Sequence, residues 1–529
     1  MIPRHFLIIL SVFSGLEAYK ILVLYPTPSY SHQRPIMAII ERLVKDGHEL
    51  FVISPNEVPG LKDHKNYTYI DVSFSYKYIS DEEANDDDTM NLQGQLSKWD
   101  IQELVKPFTD IARKQVLSEQ YRHFEQRVLS ERIKFDVVIA ETFYLPFACF
   151  ISRIFPGSAP IIAMSTIAAD AHTEPAIGSP THLSFTPDLF SYYTDRMSLW
   201  QKFENWFSHH YLHEQFKDGV IEAVKKYIQE VHGPENEKLA DSCWSSASLC
   251  FVASNPMYYY PRALSPNIIE LGPLHIKPPG KLPKNLQDWL DGAERGVIYF
   301  SLGSNMKSKS LPLKVRANFL KFFKELPSGF RVIWKWELDG TIPGQSDNIL
   351  AQKWLPQESV LAHPKVRVFV TQGGLQSFQE TVHYGVPTVG IPWFGDQECM
   401  VAKMVDAKIG VQLLPGELSS YEKVKSALEA VLYDERYYKN MKRHSAISRD
   451  FTSQSLEKAV FWVEHVAKFG GALHLRPATA DASVFQYFCL DLISVILALS
   501  LLLLFIIYCV SKLLVSAVLQ KSQLKMKAS

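Results

Sequence analysis

Twice along its length the chain alternates short apolar runs with stretches whose apolar residues recur at three- and four-residue steps. From Lys20 the runs are KILVLY, ELFVIS, FDVVIA and PIIAM, closing on SLCFVAS near Ser254. A proline-rich stretch follows, LGPLHIKPPGKLP, with Pro273, Pro278, Pro279 and Pro283. The pattern then restarts with GVIYFSLGS, FRVIWKW, ILAQKWLP, VRVFVTQGG, PTVGIP and GVQLL. Continuous apolar runs of this length are strands buried on both faces, and the intervening helical periodicity covers them. The predicted fold class is therefore α/β, with two Rossmann-like domains facing each other, at 19–272 and 285–470, joined by a linker at 273–284. Ligands of such sheets sit beyond the carboxyl ends of the strands, so residues directly after strands have the best claim to chemistry.

Both ends carry address information. Residues 1–18 hold Arg4, an apolar run from Phe6 to Phe13 and then small and polar residues, which reads as a secretory signal peptide. Leu492 to Val510 is an uncharged run covering roughly 28 Å as a helix, about one hydrocarbon core. It predicts one transmembrane helix at 492–510, preceded by a stalk at 471–491 and followed by a basic tail at 511–529. Asp491 precedes the span, while Lys512, Lys521, Lys525 and Lys527 follow it, which places the tail in the cytosol and the larger part in the lumen. The closing KMKAS resembles a dilysine retrieval signal of endoplasmic reticulum membrane proteins.

A lumenal location suits the sequon at Asn66. Cys149, Cys243, Cys250 and Cys399 would share that compartment; their spacing fixes no pairing, and the expectation is buried free thiols. A net charge of -1 argues against nucleic acid as a partner.

In the second half, Gly303 and Ser304 follow one apolar run, where small residues let backbone amides approach an anion. Trp354 offers a flat face for a base, and Gln357 an amide able to read a pyrimidine edge. Gly373 and Gly374 open a helix whose positive end favours phosphate. Ser377 and Glu380, three residues apart, project from one face of that helix, and Glu380 is an acceptor for two ribose hydroxyls. Asp396 and Gln397 form an acid–amide pair suited to sugar hydroxyls.

The block from Trp354 to Gln397, with WLPQ, HPKV, FVTQGG, Glu380 and PWFGDQ in order, resembles the signature of UDP-glycosyltransferases, and most closely their membrane-anchored animal branch. The resemblance extends over nearly the whole chain and implies a GT-B fold with a UDP-sugar as co-substrate and no other cofactor. It assigns uracil stacking to Trp354, phosphate contact to Ser304 and the glycine turn, ribose to Glu380, and sugar hydroxyls to Asp396 and Gln397. The family's usual histidine before the glycine pair is here Gln372, and its usual asparagine in the helix start is Gln376. Glutamine donates an N–H to phosphate but never carries a positive charge.

In the first half, His32 stands at a helix start after KILVLY, with Pro35 expected in the first turn, and Glu141 directly follows FDVVIA. A carboxylate on one imidazole nitrogen fixes the tautomer and stabilises the imidazolium formed on accepting a proton. The family's catalytic histidine falls on His32; its orienting residue is usually aspartate, here Glu141. The expected reaction is an inverting hexose transfer to a hydroxyl of a lipophilic small molecule. UDP-glucose is the expected donor for an invertebrate chain and UDP-glucuronate for a vertebrate one.

No metal is expected, and Asp86–Asp88 in ANDDDT read as a solvated loop. Met197, Trp200, Phe203 and Phe207 recur at helical steps and suit an acceptor pocket, a membrane surface or the core. Arg262 is a candidate contact for a donor carboxylate, or a plain surface arginine. The competing functions are a membrane-bound UDP-sugar-binding protein with little catalysis and transfer to a lipid.

Overall fold

The computed structural model describes residues 18–78, 99, 101–304 and 306–528. The signal segment before residue 18 and Asp86–Asp88 lie outside them. Every apolar run of the two alternating series becomes a strand. The first seven strands are β1 (Lys20–Leu24), β2 (Glu49–Ser54), β3 (Tyr67–Asp71), β4 (Val137–Glu141), β5 (Ile161–Ser165), β6 (Ala247–Val252) and β7 (Ile268–Glu270). They form one parallel sheet in the order 3-2-1-4-5-6-7. Only β3 and β7 lacked a sequence signal, and both are edge strands, where one-sided pairing relaxes the demand for a continuous apolar run.

The second sheet is β8 (Gly296–Ser301), β9 (Phe330–Lys335), β10 (Ile349–Gln352), β11 (Val366–Thr371), β12 (Thr388–Gly390) and β13 (Gly410–Gln412). Its order is 10-9-8-11-12-13, again all parallel. Each sheet reverses its winding at its first strand, between β1 and β4 and between β8 and β11. A crevice opens beyond the strand ends at such a switch point, so both sheets offer a binding site where their central strands stop.

The central strands are apolar on both faces. Ile21, Leu22 and Val23 are fully buried, the even positions packing with one helix layer and the odd positions with the other. Residues 271–283 form no regular element, and the chain re-enters a helix at Lys284. The late helix Ser455–Phe469 packs Ala459, Val460 and Val463 against the first sheet's core, beside Ile21 and Val23. By packing it belongs to the first lobe, although it falls within the span 285–470 expected for the second.

The lobes also share an apolar seam. Tyr258 and Tyr259 from the first sheet's side meet Leu375, Phe378 and Met400 from the second. Cys149 and Cys243 form a disulfide, which corrects the expectation of four free thiols; Cys250 and Cys399 are free and buried. Residues Pro477–Ser529 make a separate unit. Its helix Leu490–Ala528 is the one described helix long and apolar enough to cross a membrane.

Candidate functional site

β1 ends at Leu24, and Ser29, in an extended conformation, caps the helix Tyr30–Lys45. His32 therefore sits in the first turn, while Pro35 falls in the second rather than the first. Glu141 is the last residue of β4, the neighbour of β1, so the two side chains meet across the switch point. His32 Nδ1 lies 3.3 Å from Glu141 Oε1 and 3.0 Å from Thr166 Oγ1. The other carboxylate oxygen accepts from the Thr27 N–H at 3.3 Å and from the Thr27 hydroxyl at 2.6 Å. A buried carboxylate is costly unless its lone pairs are filled, and here each oxygen has a partner. A carboxylate on Nδ1 favours the proton there and leaves Nε2 with the lone pair.

His32 lines a cavity of about 230 Å³. Its wall is largely aromatic and aliphatic, with Phe108, Phe143, Leu189, Leu212, Phe216 and Phe394 among its members. Three histidines add polarity without charge. His172 Nδ1 is 2.9 Å from His213 Nδ1, and burial pushes His172 and His213 down and His209 to about 3. Asp396, from the second lobe, closes the same cavity. Burial raises its carboxyl to about 6 against the opposing influence of His32. An imidazole from one lobe and a carboxyl group from the other thus share one space.

The glycine turns lie at the second sheet's switch point. Gly303 has φ +83°, and a Cβ there would meet Gln372 Nε2 at 2.6 Å. Gly373 has φ +85°, and its Cβ would meet Val401 at 2.4 Å. Neither position tolerates a side chain. Ser304 is exposed after β8. Gly374 caps the helix Leu375–Tyr384, so its free N–H groups open toward the turn. Gln372 is buried against this turn, and its Oε1 has no hydrogen-bond partner. Trp354 is 63% exposed, with Tyr30 at its edge and Lys335 Nζ 5.9 Å from its ring centroid, which leaves a face for stacking.

Several expected contacts are committed elsewhere. Gln357 donates to Ser377 Oγ at 3.0 Å and Glu380 Oε2 at 2.7 Å and accepts from the Tyr299 hydroxyl at 3.1 Å. It therefore braces the helix rather than offering a free amide to a pyrimidine. Gln376 Nε2 donates to the Thr166 carbonyl at 3.0 Å, a bridge between lobes rather than a phosphate contact. Gln397 Oε1 accepts from the Trp393 N–H at 2.9 Å, which fixes the loop before Asp396 and leaves the amide N–H groups for a ligand.

The largest departure is at Glu380. Arg34, two residues beyond His32, reaches across the cleft and pairs with Glu380 Oε1, and its other terminal nitrogen lies 2.8 Å from Glu358 Oε1. His275 Nε2 stands 3.3 Å from the same Glu380 oxygen. Burial by itself would raise the Glu380 carboxyl, but His275, Arg34 and Gln357 prevail and hold it below the usual range. His275, Glu358 and Glu380 have the spacing of metal ligands, yet the Arg34 guanidinium already bridges the two carboxylates.

For Arg262 and the aromatic series the sequence leaves alternatives open. Arg262 is no surface arginine: its side chain is buried, with Nη1 2.6 Å from Glu174 and Nη2 3.7 Å from Glu270, and it lines the same cavity as His32 and Asp396. Of the aromatic series, Met197 is buried, whereas Trp200, Phe203 and Phe207 are more than half exposed, and none lines the cavity.

Comparison with known proteins agrees with this arrangement. Residues 20–525 match the family described as UDP-glucoronosyl and UDP-glucosyl transferase. UDP-glucosyltransferase 2 of Dactylopius coccus is 30% identical over 500 residues, 93% of each chain. UDP-glucuronosyltransferase 2B7 of Homo sapiens is 29% identical over 508 residues, 92% of this chain and 91% of that one. The calicheamicin glycosyltransferase CalG4 shares the fold, with a TM-score of 0.54 at 16% identity over 86% of this chain and 99% of its own. Two parallel-sheet lobes of the GT-B type, a cleft at both switch points and a family match over almost the full length lead to one conclusion: this chain belongs to the UDP-glycosyltransferases and transfers a sugar from a UDP-sugar.

Proposed function

We propose that the protein catalyses an inverting transfer of a neutral hexose, UDP-glucose being the donor, to a hydroxyl of a lipophilic small molecule. His32 Nε2 takes the proton of the acceptor hydroxyl, the oxygen bonds to the anomeric carbon, and the bond from that carbon to the β-phosphate oxygen breaks, releasing UDP. Glu141 holds the imidazole and balances the charge it gains, a role typically associated with ~10²–10⁴-fold for the base itself. Asp396 and the Gln397 amide hold the sugar hydroxyls, Trp354 stacks on uracil, and Gly303, Ser304, Gly373 and Gly374 receive the diphosphate.

The observation that carries this reading is the shared cavity of His32 and Asp396, brought from opposite lobes. The apolar wall and uncharged histidines suit a lipophilic acceptor. The C-terminal helix and the disulfide suit a membrane-anchored enzyme with both lobes in the endoplasmic reticulum lumen.

The test is turnover of a small panel of phenols by microsomes carrying the full chain, with UDP-glucose, UDP-galactose and UDP-glucuronate, against His32→Ala. UDP-glucose turnover lost in His32→Ala supports the proposal. UDP binding without turnover of any acceptor would favour a non-catalytic binding protein, and preference for UDP-glucuronate would overturn the donor assignment.

A further inference from the structure

The diphosphate of a UDP-sugar carries negative charge, yet none of Gly303, Ser304, Gln372, Gly373, Gly374, Gln376 and Ser377 brings a cation to it. Backbone amides and a helix dipole equivalent to about half a charge remain. A cation does cross the cleft to the helix that follows the glycine turn. Arg34 extends from the helix that carries His32 to Glu380 and Glu358. Glu380 lies six residues beyond Gly374, about 9 Å along the helix at ~1.5 Å per residue. Gln357 joins Glu380 to Ser377, one turn nearer the phosphate turn.

Ribose hydroxyls that donate to Glu380 would compete with Arg34 for the same buried carboxylate. The displaced guanidinium keeps Glu358 on one side and has flexible reach toward the glycine turn on the other. Guanidinium is also the side chain best matched to phosphate oxygens, with donors in a fixed fork. We propose that Arg34 is a donor-binding residue that yields Glu380 to the ribose and pairs with the diphosphate, supplying from the first lobe the positive charge that Gln372 lacks. The proposal rests on the donor-site reading above. It ties donor occupancy to the helix that bears His32.

A merely structural Arg34 predicts the opposite sign. If the arginine only latches the lobes through Glu380, its removal frees the ribose site and tightens every uridine ligand. The test uses the full-length chain in detergent and measures inhibition by UDP and by uridine, which has no phosphate, for the wild type, Arg34→Gln, Arg34→Lys and the double variant Arg34→Gln with Gln372→His. Arg34→Gln should weaken UDP at least about tenfold, while uridine, which loses only a competitor for Glu380, should bind as well as before or tighter. Arg34→Lys, which keeps the charge without the fork, should fall between, and Gln372→His should recover part of the loss. Tighter binding of both ligands in Arg34→Gln, or an equal loss for both, overturns the proposal. Failure of UDP to bind the wild type would instead remove the donor-site reading on which it rests.

Discussion

His32 and Glu141 meet at 3.3 Å across the point where the first sheet reverses its winding, one from the helix after β1 and the other from the last position of β4. Two neighbouring strands that run in the same direction end side by side, so residues just past their ends come together regardless of separation in sequence. Thr27, in the loop between β1 and the helix, holds the far carboxylate oxygen and keeps Glu141 from turning away.

Glu141 touches Thr27 with one carboxylate oxygen and His32 with the other. Glu141→Asp withdraws the carboxylate by one methylene and should lose the imidazole contact. Turnover should fall by about tenfold or more with donor KM unchanged, since the lost charge stabilises imidazolium only as the proton moves. Steady-state kinetics at saturating donor would check this, and a fully active Glu141→Asp would refute it.

Gln372 is buried beside Gly303 with an unpartnered Oε1, a cost of roughly 1–3 kcal/mol for an unsatisfied polar atom. Gln372→His places a group able to carry charge beside the diphosphate. UDP should bind tighter by about 1 kcal/mol or so, roughly fivefold, with the gain fading above the imidazole range of pH. Titration of UDP binding at pH 6 and pH 8 separates this from a packing effect, which would not vary with pH.

The sequence made the strands and their order of use legible because parallel, doubly covered strands leave little freedom in residue choice. His32, Glu141 and the glycine turn were legible for a related reason, since each lies at the end of such a strand or in the segment that follows it. Arg34 was not, because its meaning depends on Glu380, a partner 346 positions away on the other lobe. His275 was hidden in a proline-rich stretch that reads as a linker and nothing more. The contacts of Gln357 and Gln376 within the protein were not legible, because an amide serves a ligand or the protein equally well. Trp200, Phe203 and Phe207 have helical spacing, which reports a shared face but not whether that face is covered.

The disulfide joins the helix Leu145–Ile154 to the turn at Cys243–Ser245 across a separation of 94 residues. That loop includes the long helix Leu199–Val231 and much of the acceptor cavity's wall. Closing a loop of such length typically stabilises by about 2–4 kcal/mol. Replacing Cys149 and Cys243 together with serine should lower the melting temperature and weaken acceptor binding before donor binding, because the bridge lies wholly in the first lobe. Thermal melts with and without UDP, together with acceptor KM, would show it; an unchanged melt would mean the bond is not formed in the protein as produced.

Asp396 offers the clearest test by pH. Its carboxyl is raised to about 6 by burial, against about 3.9 for an unfolded aspartate. Between those values the folded chain holds a proton that the unfolded chain has released, so this group's contribution to stability falls as pH rises through the window. The cost is complete above about pH 6, where the folded chain must keep a charge in a poorly solvated cavity wall. Asp396→Asn removes the titration and should therefore be more stable than the wild type at pH 7.5, with the advantage shrinking toward pH 4. The same change should raise the donor KM, because a carboxylate accepts two sugar hydroxyls and a carboxamide only one without turning a donor toward the other. Wild-type donor KM should rise below about pH 6 as Asp396 takes up its proton, while that of Asp396→Asn stays flat. Melting curves at pH 4.5, 6 and 7.5 alongside donor KM settle both halves. A stability difference that does not change with pH would show that Asp396 is not the group that titrates, and a flat wild-type KM would show that its charge does not hold the sugar.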